Sequence, residues 1–358
     1  MELPDYIKNR YWKDYLPAGV TLEIDIPEDI SMRDIFKKYT KDYSDKTFII
    51  YDNKEYTYKD IQKLTIRFAS VLLNLGVKKG DVIALWLSNC PQFIISYFAT
   101  MIIGGTITAI SPLYVAREMA YQVKDSGAKY LIMIDSYMPQ YKSYETDLSL
   151  EKVILVNIEG GTPIEPEKDR IIYFNSLMEE NPELSTFYEV KINPKEDIAV
   201  IQYTGGTTGF PKGASLSHYN IIANSLQLKQ VSIYIKEKFL KEDIVSIFVL
   251  PWYHIFGQVV EMVSALLIGS KAFVLSGFDI EKVLEILKKH KPNSLFGVPT
   301  IYITLLNLPT SSGGDISCLK STHVGATPMP IEAAKEWERK TGFAMGEGYG
   351  LSEASPAV

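Results

Sequence analysis

Eleven residues, Tyr203-Thr204-Gly205-Gly206-Thr207-Thr208-Gly209-Phe210-Pro211-Lys212-Gly213, hold the densest chemistry in the chain. Glycines permit positive φ and close backbone approach, so such a loop can turn several N–H groups and threonine hydroxyls inward. Lys212 adds a point charge, and the guest that suits this set is a polyphosphate. In a P-loop the lysine follows glycine directly and a helix opens there. Here Phe210-Pro211 intervenes and Gly213-Ala214-Ser215-Leu216 has strand character, so the spacing predicts a hairpin loop between two strands. A glycine-rich turn with no ligand is the other reading of the same residues.

Three further stretches carry candidate groups, each with a plain alternative. Leu250-Pro251-Trp252-Tyr253-His254-Ile255-Phe256-Gly257 sets His254 among aromatics at a predicted strand end, where open α/β sheets bind ligands. A histidine packed at a helix start fits it as well. Val324-Gly325-Ala326-Thr327-Pro328-Met329-Pro330 ends a strand in small residues that a flat ring could approach, or is an ordinary strand-to-helix turn. Gly348-Tyr349-Gly350-Leu351-Ser352-Glu353 offers an open aromatic face, then a hydroxyl and a carboxylate suited to a phosphate oxygen and a hard cation. A surface turn is its plain reading.

The elements that must position these groups alternate. Ile61, Leu64, Phe68, Val71 and Leu75 mark one helical face, begun by a Thr57 cap and stopped by Gly76. Short apolar strands follow at 82–87, 106–110, 130–134 and 153–156, and again at 199–203, 245–250, 271–275, 294–296, 321–324 and 344–347. Helices are predicted between them, near 91, 117–126, 218–230, 256–267, 279–290, 299–307 and 330–341. That alternation builds mostly parallel sheets covered by helices on both faces. The expected fold is α/β, with two similar doubly wound units: an arm over 1–30, a first subdomain over 31–185 and a second over 186–358. The cut falls in a Pro-punctuated, charged tract at 160–194.

Bulk properties narrow the function. The chain has 358 residues, 46% hydrophobic and 22% charged, with net charge −6. There is no basic block of the kind that phosphate backbones recruit, which excludes nucleic acid as the main partner. Cys90 and Cys318 lie far apart without metal-type spacing, so a reducing cytoplasmic setting is expected. The N-terminus is acidic and is read as no signal peptide. Phe93 to Ile110 runs without a charge, but Gly104-Gly105 splits it into a buried helix and a strand rather than a membrane span.

In this order and spacing, the four stretches resemble those of the adenylate-forming superfamily of acyl-CoA synthetases, luciferases and peptide-synthetase adenylation domains. The likeness extends to Lys78-Lys79-Gly80-Asp81-Val82-Ile83-Ala84 and Gly297-Val298-Pro299-Thr300. Glu347 to Pro356 and Tyr302 to Asn307 look most like fatty-acid–CoA ligases. The resemblance implies that a carboxylate attacks the α-phosphate of ATP, giving acyl-adenylate and pyrophosphate, and that coenzyme A then displaces AMP. It implies a phosphate cradle of Thr204, Gly205, Gly206, Thr207, Thr208, Gly209 and Lys212, and Mg2+ held by Thr204 and Glu353. Adenine would stack on Tyr349, between Gly348 and Gly350, with Gly325, Ala326 and Thr327 along its other side. Ser352 stands where the family usually has threonine and would serve the α-phosphate. Lys212, His254 and Glu353 are the implied catalytic set, with His254 near the acid carboxylate. The acyl tunnel would run beside the helix at 256–267, past Phe296, Gly297 and Val298.

The family continues past this point with a ribose-binding aspartate, a hinge and a small domain bearing a lysine. The 358 residues hold none of these, so an N-terminal portion with little turnover of its own is expected, partnered by that domain. A non-catalytic nucleotide- or acyl-binding regulatory protein is the rival, and an aryl or other acid is the alternative substrate. An amino acid would need a carboxylate for its ammonium group. Glu261 is offered, but a helical turn or two from His254, and apolar Ile255, Val259, Val260 and Met262 favour an acyl chain.

Overall fold

A computed structural model describes residues 11–17, 19–21, 23–158, 170–181, 187–205, 211–308 and 315–358. Local signals set the first elements. Ser31 caps the helix Met32–Asp42 reciprocally with Asp34. Strands β1 (Thr47–Tyr51) and β2 (Lys54–Thr57) meet at Asp52 and Asn53, whose φ angles of 46° and 63° make the tight turn a two-residue hairpin needs. Thr57 and Asp60 then form a capping box on the helix Tyr58–Asn74, and Gly76 ends it at φ +91°.

The remaining strands are β3 (Val82–Trp86), β4 (Thr106–Ala109), β5 (Ala128–Ile134), β6 (Lys152–Val156), β7 (Ile171–Tyr173), β8 (Ile198–Thr204), β9 (Lys212–Ser217), β10 (Val245–Phe248), β11 (Lys271–Val274), β12 (Ser294–Gly297), β13 (Ser321–Val324) and β14 (Gly346–Glu347). Among the described residues they and the first hairpin form two seven-stranded sheets, ordered β7-β6-β5-β3-β4-β8-β9 and β14-β13-β12-β10-β11-β1-β2. Each is parallel except for one antiparallel hairpin at its edge, β8–β9 in one and β1–β2 in the other. The two doubly wound units expected from the alternation are present.

Sheet membership does not follow chain order across the expected cut between 185 and 186. The β1–β2 hairpin joins the later strands by pairing β1 with β11, and β8–β9 joins the earlier ones by pairing β8 with β4. Each half of the chain thus closes the other's sheet. Apolar periodicity identifies a strand but carries no information about a partner 93 or 223 residues away.

Strand alternation sorts side chains into layers. Ile83 and Leu85 of β3, Ile132 of β5 and Phe248 of β10 enter one large core shared by both sheets. The helices Met32–Asp42, Tyr58–Asn74 and Pro91–Ile102 fill it. The neighbours Ala84, Trp86, Leu131 and Met133 face outward under the helix Ala116–Asp125. Ile247, Leu295 and Val324 face outward on the second sheet, beneath Leu287 and Trp337 of the helices Ile280–His290 and Ile331–Thr341. The order is helix, sheet, helix, sheet, helix. The uncharged stretch 93–110 is the middle-layer helix, a turn at Gly104 and β4, and no described helix is long and apolar enough to cross a membrane.

Candidate nucleotide and acid site

Thr204 ends β8 and Lys212 begins β9, paired directly across the antiparallel ladder, so the glycine-threonine stretch is a hairpin loop. Gly206, Thr207, Thr208 and Gly209 lie outside the described residues. Gly205 and Lys212 are exposed at the loop's two ends and Thr204 is half-buried. The hairpin's base is locked from the side. The Tyr203 hydroxyl donates to Asp125 at 2.5 Å, and Tyr121 donates to the Pro211 carbonyl at 3.0 Å, both acceptor and donor pairs joining the helix Ala116–Asp125 to the loop. Burial, reinforced by the Asp125 carboxylate, pushes the Tyr203 phenol up, so it remains a donor. Gly213 must lack a side chain, since a Cβ there would sit 2.6 Å from Ile201 Cγ2.

The turns after β13 and β14 are stitched side by side. Gly325 N–H donates to the Gly297 carbonyl at 3.1 Å, and Gly348 N–H to the Val324 carbonyl at 2.9 Å. Gly325 leaves room for the Phe256 ring, which a Cβ would meet at 2.8 Å. Ala326 and Thr327 are exposed beside it, Ala326 at φ +69°. Tyr349 is 70% exposed, its face open. Leu351 N–H bonds the Pro356 carbonyl and Val358 N–H bonds the Tyr349 carbonyl, folding Gly350 and Ser352 into a small hairpin. Asn224 grips its far strand through both the N–H and the carbonyl of Ala357. The short turn Ser352–Ala354 packs against β8 and β9. Ser352 and Glu353 therefore lie along the hairpin that carries Thr204 and Lys212, although they belong to the other sheet.

His254 reaches the same cleft through a polar relay. Gln258 donates to Gln202 at 3.2 Å, and Gln202 donates to the Tyr253 carbonyl at 3.1 Å, one residue before Tyr203 on β8. The loop after β10 is held from beneath. Asn89 donates to the Leu250 carbonyl and accepts from Trp252 N–H, both at 2.8 Å. Glu261, 1% exposed, accepts from Val249 N–H, Leu250 N–H and Trp252 Nε1, each at 3.2 Å. The imidazole of His254 is exposed at its edge, and its Nδ1 accepts from Phe256 N–H at 3.2 Å. Partial desolvation lowers its pKa, so it is neutral at pH 7. Glu261 is thus a support of the loop rather than a group facing the cleft. Asn89, Tyr121, Asp125 and Gln202 went unrecognised in the sequence, since nothing local distinguishes them from ordinary polar residues.

The helix over 256–268 opens as a π-helix, Phe256–Val263, before an α-helical turn, Ser264–Ile268. Gly257 packs on the strand end so closely that a Cβ would lie 2.6 Å from the Pro251 carbonyl oxygen. Gly257→Ala is expected to destabilise the protein by about 1–3 kcal/mol through this overpacking. A urea midpoint unchanged from wild type would disprove the contact.

A cavity of about 90 Å3 lies between the helix His218–Ile235, the helix over 256–268 and the inner face of the second sheet. Phe296, named for the acyl tunnel, lines it. Gly297 and Val298 do not: a Cβ on Gly297 would meet Tyr302, and Val298 packs with the outer core. Strand alternation turns Gly297 to the other face, and Val298 lies past the strand's end, at the cap of the helix Pro299–Leu306. Among the described residues no group of three His, Cys, Asp or Glu could hold a metal ion by itself.

Two sheets that exchange edge hairpins, with these turns gathered along one cleft, place the protein in the adenylate-forming fold class. The AMP-binding enzyme profile matches residues 36–358, and the chain belongs to that family, the adenylate-forming acyl-CoA synthetases its motifs resemble. The long-chain-fatty-acid–CoA ligase of Bacillus subtilis is 34% identical over 97% of this chain and 64% of its own length. The 4-coumarate–CoA ligase 3 of Arabidopsis thaliana is 30% identical over 94% of this chain and 58% of its own. The chain thus spans less than two thirds of either relative. A crystal structure of a long-chain-fatty-acid-CoA ligase (FadD1) from Archaeoglobus fulgidus matches with a TM-score of 0.80 at 26% identity, covering 96% of this chain and 68% of that one.

Proposed function

We propose that the chain carries the nucleotide and acid sites of an ATP-dependent, AMP-forming acid–CoA ligase whose substrate is a fatty acid. The observation that carries this is the packing of Ser352–Ala354 on β8 and β9, which sets a hydroxyl and a carboxylate beside the Thr204–Lys212 hairpin. A carboxylate is a weak nucleophile meeting an anionic phosphate, so charge must be neutralised and the reactants aligned. The carboxylate oxygen bonds the α-phosphorus while the bond from that phosphorus to the bridging oxygen breaks, and pyrophosphate leaves with the electron pair. Thr204, Thr207, Thr208 and Lys212 hold the β- and γ-phosphates, Ser352 serves the α-phosphate, and Tyr349 stacks on adenine opposite Gly325, Ala326 and Thr327. His254, neutral, lines the carboxylate end of the acyl pocket. The coenzyme A thiol then attacks the acyl carbon and AMP departs.

Mg2+ binds ATP sites through one or two carboxylates plus substrate phosphates rather than in a protein cage. An exposed Glu353 with Thr204 nearby, and no acidic cluster among the described residues, fits that pattern. Those two residues would hold the ion, which neutralises phosphate charge. Family resemblance assigns the lysine that contacts the carboxylate and α-phosphate to a further small domain, in the same or a separate polypeptide. Free Cys90 and Cys318 support a reducing, cytoplasmic setting.

Pyrophosphate release measured with acids of increasing chain length tests the reading. The 358 residues alone are expected to release it slowly with fatty acids, and thioester to form more slowly still. Rapid thioester formation would refute the assignment of the lysine elsewhere, and failure to bind ATP at all would favour a protein without this chemistry. The similarity to a 4-coumarate–CoA ligase supports one second reading, an aryl acid, for which hydroxycinnamates would outperform every fatty acid.

A further inference from the structure

The floor of the cavity between the two helices is not uniformly apolar. Ser246 of β10 pairs with Ser294 of β12, and Ser294 pairs with Ser321 of β13. Neighbouring residues in register across parallel strands project to the same face. The three serines therefore form a row across the sheet, and all three line the cavity. Two residues further along, toward the cleft, the same face carries Phe296 and His323, their rings stacked at 5.0 Å. Ser270, two residues before the Ala272 that pairs with Ser246, also lines the cavity; it is 2% exposed and its hydroxyl has no hydrogen-bond partner. His323 also lines it with Nδ1 unpartnered, while its Cδ2–Nε2 edge faces Gly346.

A tunnel meant only for a hydrocarbon gains nothing from buried hydroxyls, which cost stability when unpaired and reject guests that cannot satisfy them. The opposite wall is apolar at Leu228, Ile235 and Val260 and adds Ser232, Glu261 and Ser264. The cavity is thus apolar over most of its surface, with an in-register row of hydroxyls across its floor. We propose that it selects acids whose tail carries a hydroxyl, at the depth of the Ser246–Ser294–Ser321 row. From Gly325, at the cleft, to Ser321 is four residues along β13, or about 13 Å. At about 1.2 Å per bond of extended chain this puts the hydroxyl on the order of ten bonds from the carboxylate. The proposal rests on the ligase reading above and sharpens its substrate class to a mid-length hydroxyacyl acid.

The test is calorimetric titration of the 358-residue chain with 10-hydroxydecanoic acid and with decanoic acid. The hydroxy acid is expected to bind about tenfold more tightly, one neutral hydrogen bond's worth. Ser294→Ala with Ser321→Ala, conservative enough to leave packing intact, should abolish that preference while decanoic acid binds at least as well as before. Equal or weaker binding of the hydroxy acid to wild type would overturn the proposal and leave the ligase reading standing. A preference that survives the double substitution would overturn the assignment to the serine row. Binding of neither acid would bring down the ligase reading and the proposal together.

Discussion

Glu261→Ala is expected to lower the stability of the protein by about 3–5 kcal/mol, the largest effect of any single substitution near the cleft. The carboxylate is buried and takes three donors, the N–H groups of Val249 and Leu250 and the indole Nε1 of Trp252. Truncation leaves all three without partners in a dry interior, each at a cost of about 1–3 kcal/mol, and adds a cavity. The loss should appear as a lower urea midpoint, and a change below about 1 kcal/mol would show that the donors find other partners. The pH dependence has a definite sign. Burial raises the Glu261 pKa well above its ordinary 4.5, against the lowering by its three donors. The native state then binds a proton that the unfolded chain releases near pH 4.5. Its contribution is full below that pH and is lost as pH rises through the folded-state value. Glu261→Gln removes the titration, so its stability should fall less steeply above pH 5 than that of wild type.

The reach of this residue beyond stability comes from what it supports. Leu250 to His254 is the loop that brings the imidazole to the cleft, and it is clamped by Glu261 beneath and Asn89 alongside. Both clamps were illegible in the sequence. Glu261 reads there as a substrate-facing candidate or a helix-face charge, because its three donors come from a strand end and a loop that only the fold brings over it. The residues that were legible share a local cause. Thr57 and Gly76 each signal through neighbours within four positions, and each sits where expected. The strands were legible for the same reason, being short apolar runs. Their partners were not: β8 pairs with a strand 93 residues away and β1 with one 223 residues away. The β8–β9 hairpin was legible as a candidate loop because Gly, Thr and Lys carry chemistry in their types. The Tyr203–Asp125 and Tyr121–Pro211 bonds that brace it were not, since a tyrosine and an aspartate on a helix have many ordinary roles.

Lys212→Ala is expected to weaken ATP binding about ten- to a hundredfold, the worth of one charge-assisted contact to phosphate. The lysine begins β9 directly opposite Thr204 and is exposed, so its removal leaves the ladder and the buried Tyr203 anchor in place. Loss of affinity without loss of stability is therefore the signature of a ligand contact rather than a structural one. Glu353→Ala separates the metal role from the phosphate role. It sits on the turn packed against the same hairpin, and an acidic side chain beside a polyphosphate repels it unless a cation lies between. Its alanine variant should bind ATP more weakly with magnesium present, yet as well as wild type or better in a chelator. Lys212→Ala should be weakened under both conditions, and more at low salt than at high. His254→Ala should leave both titrations unchanged, because the role proposed for His254 is at the acid end of the cleft. If Lys212→Ala binds ATP as wild type does, the hairpin is not the phosphate site. If Glu353→Ala loses affinity equally in chelator, the carboxylate holds the turn and not the ion.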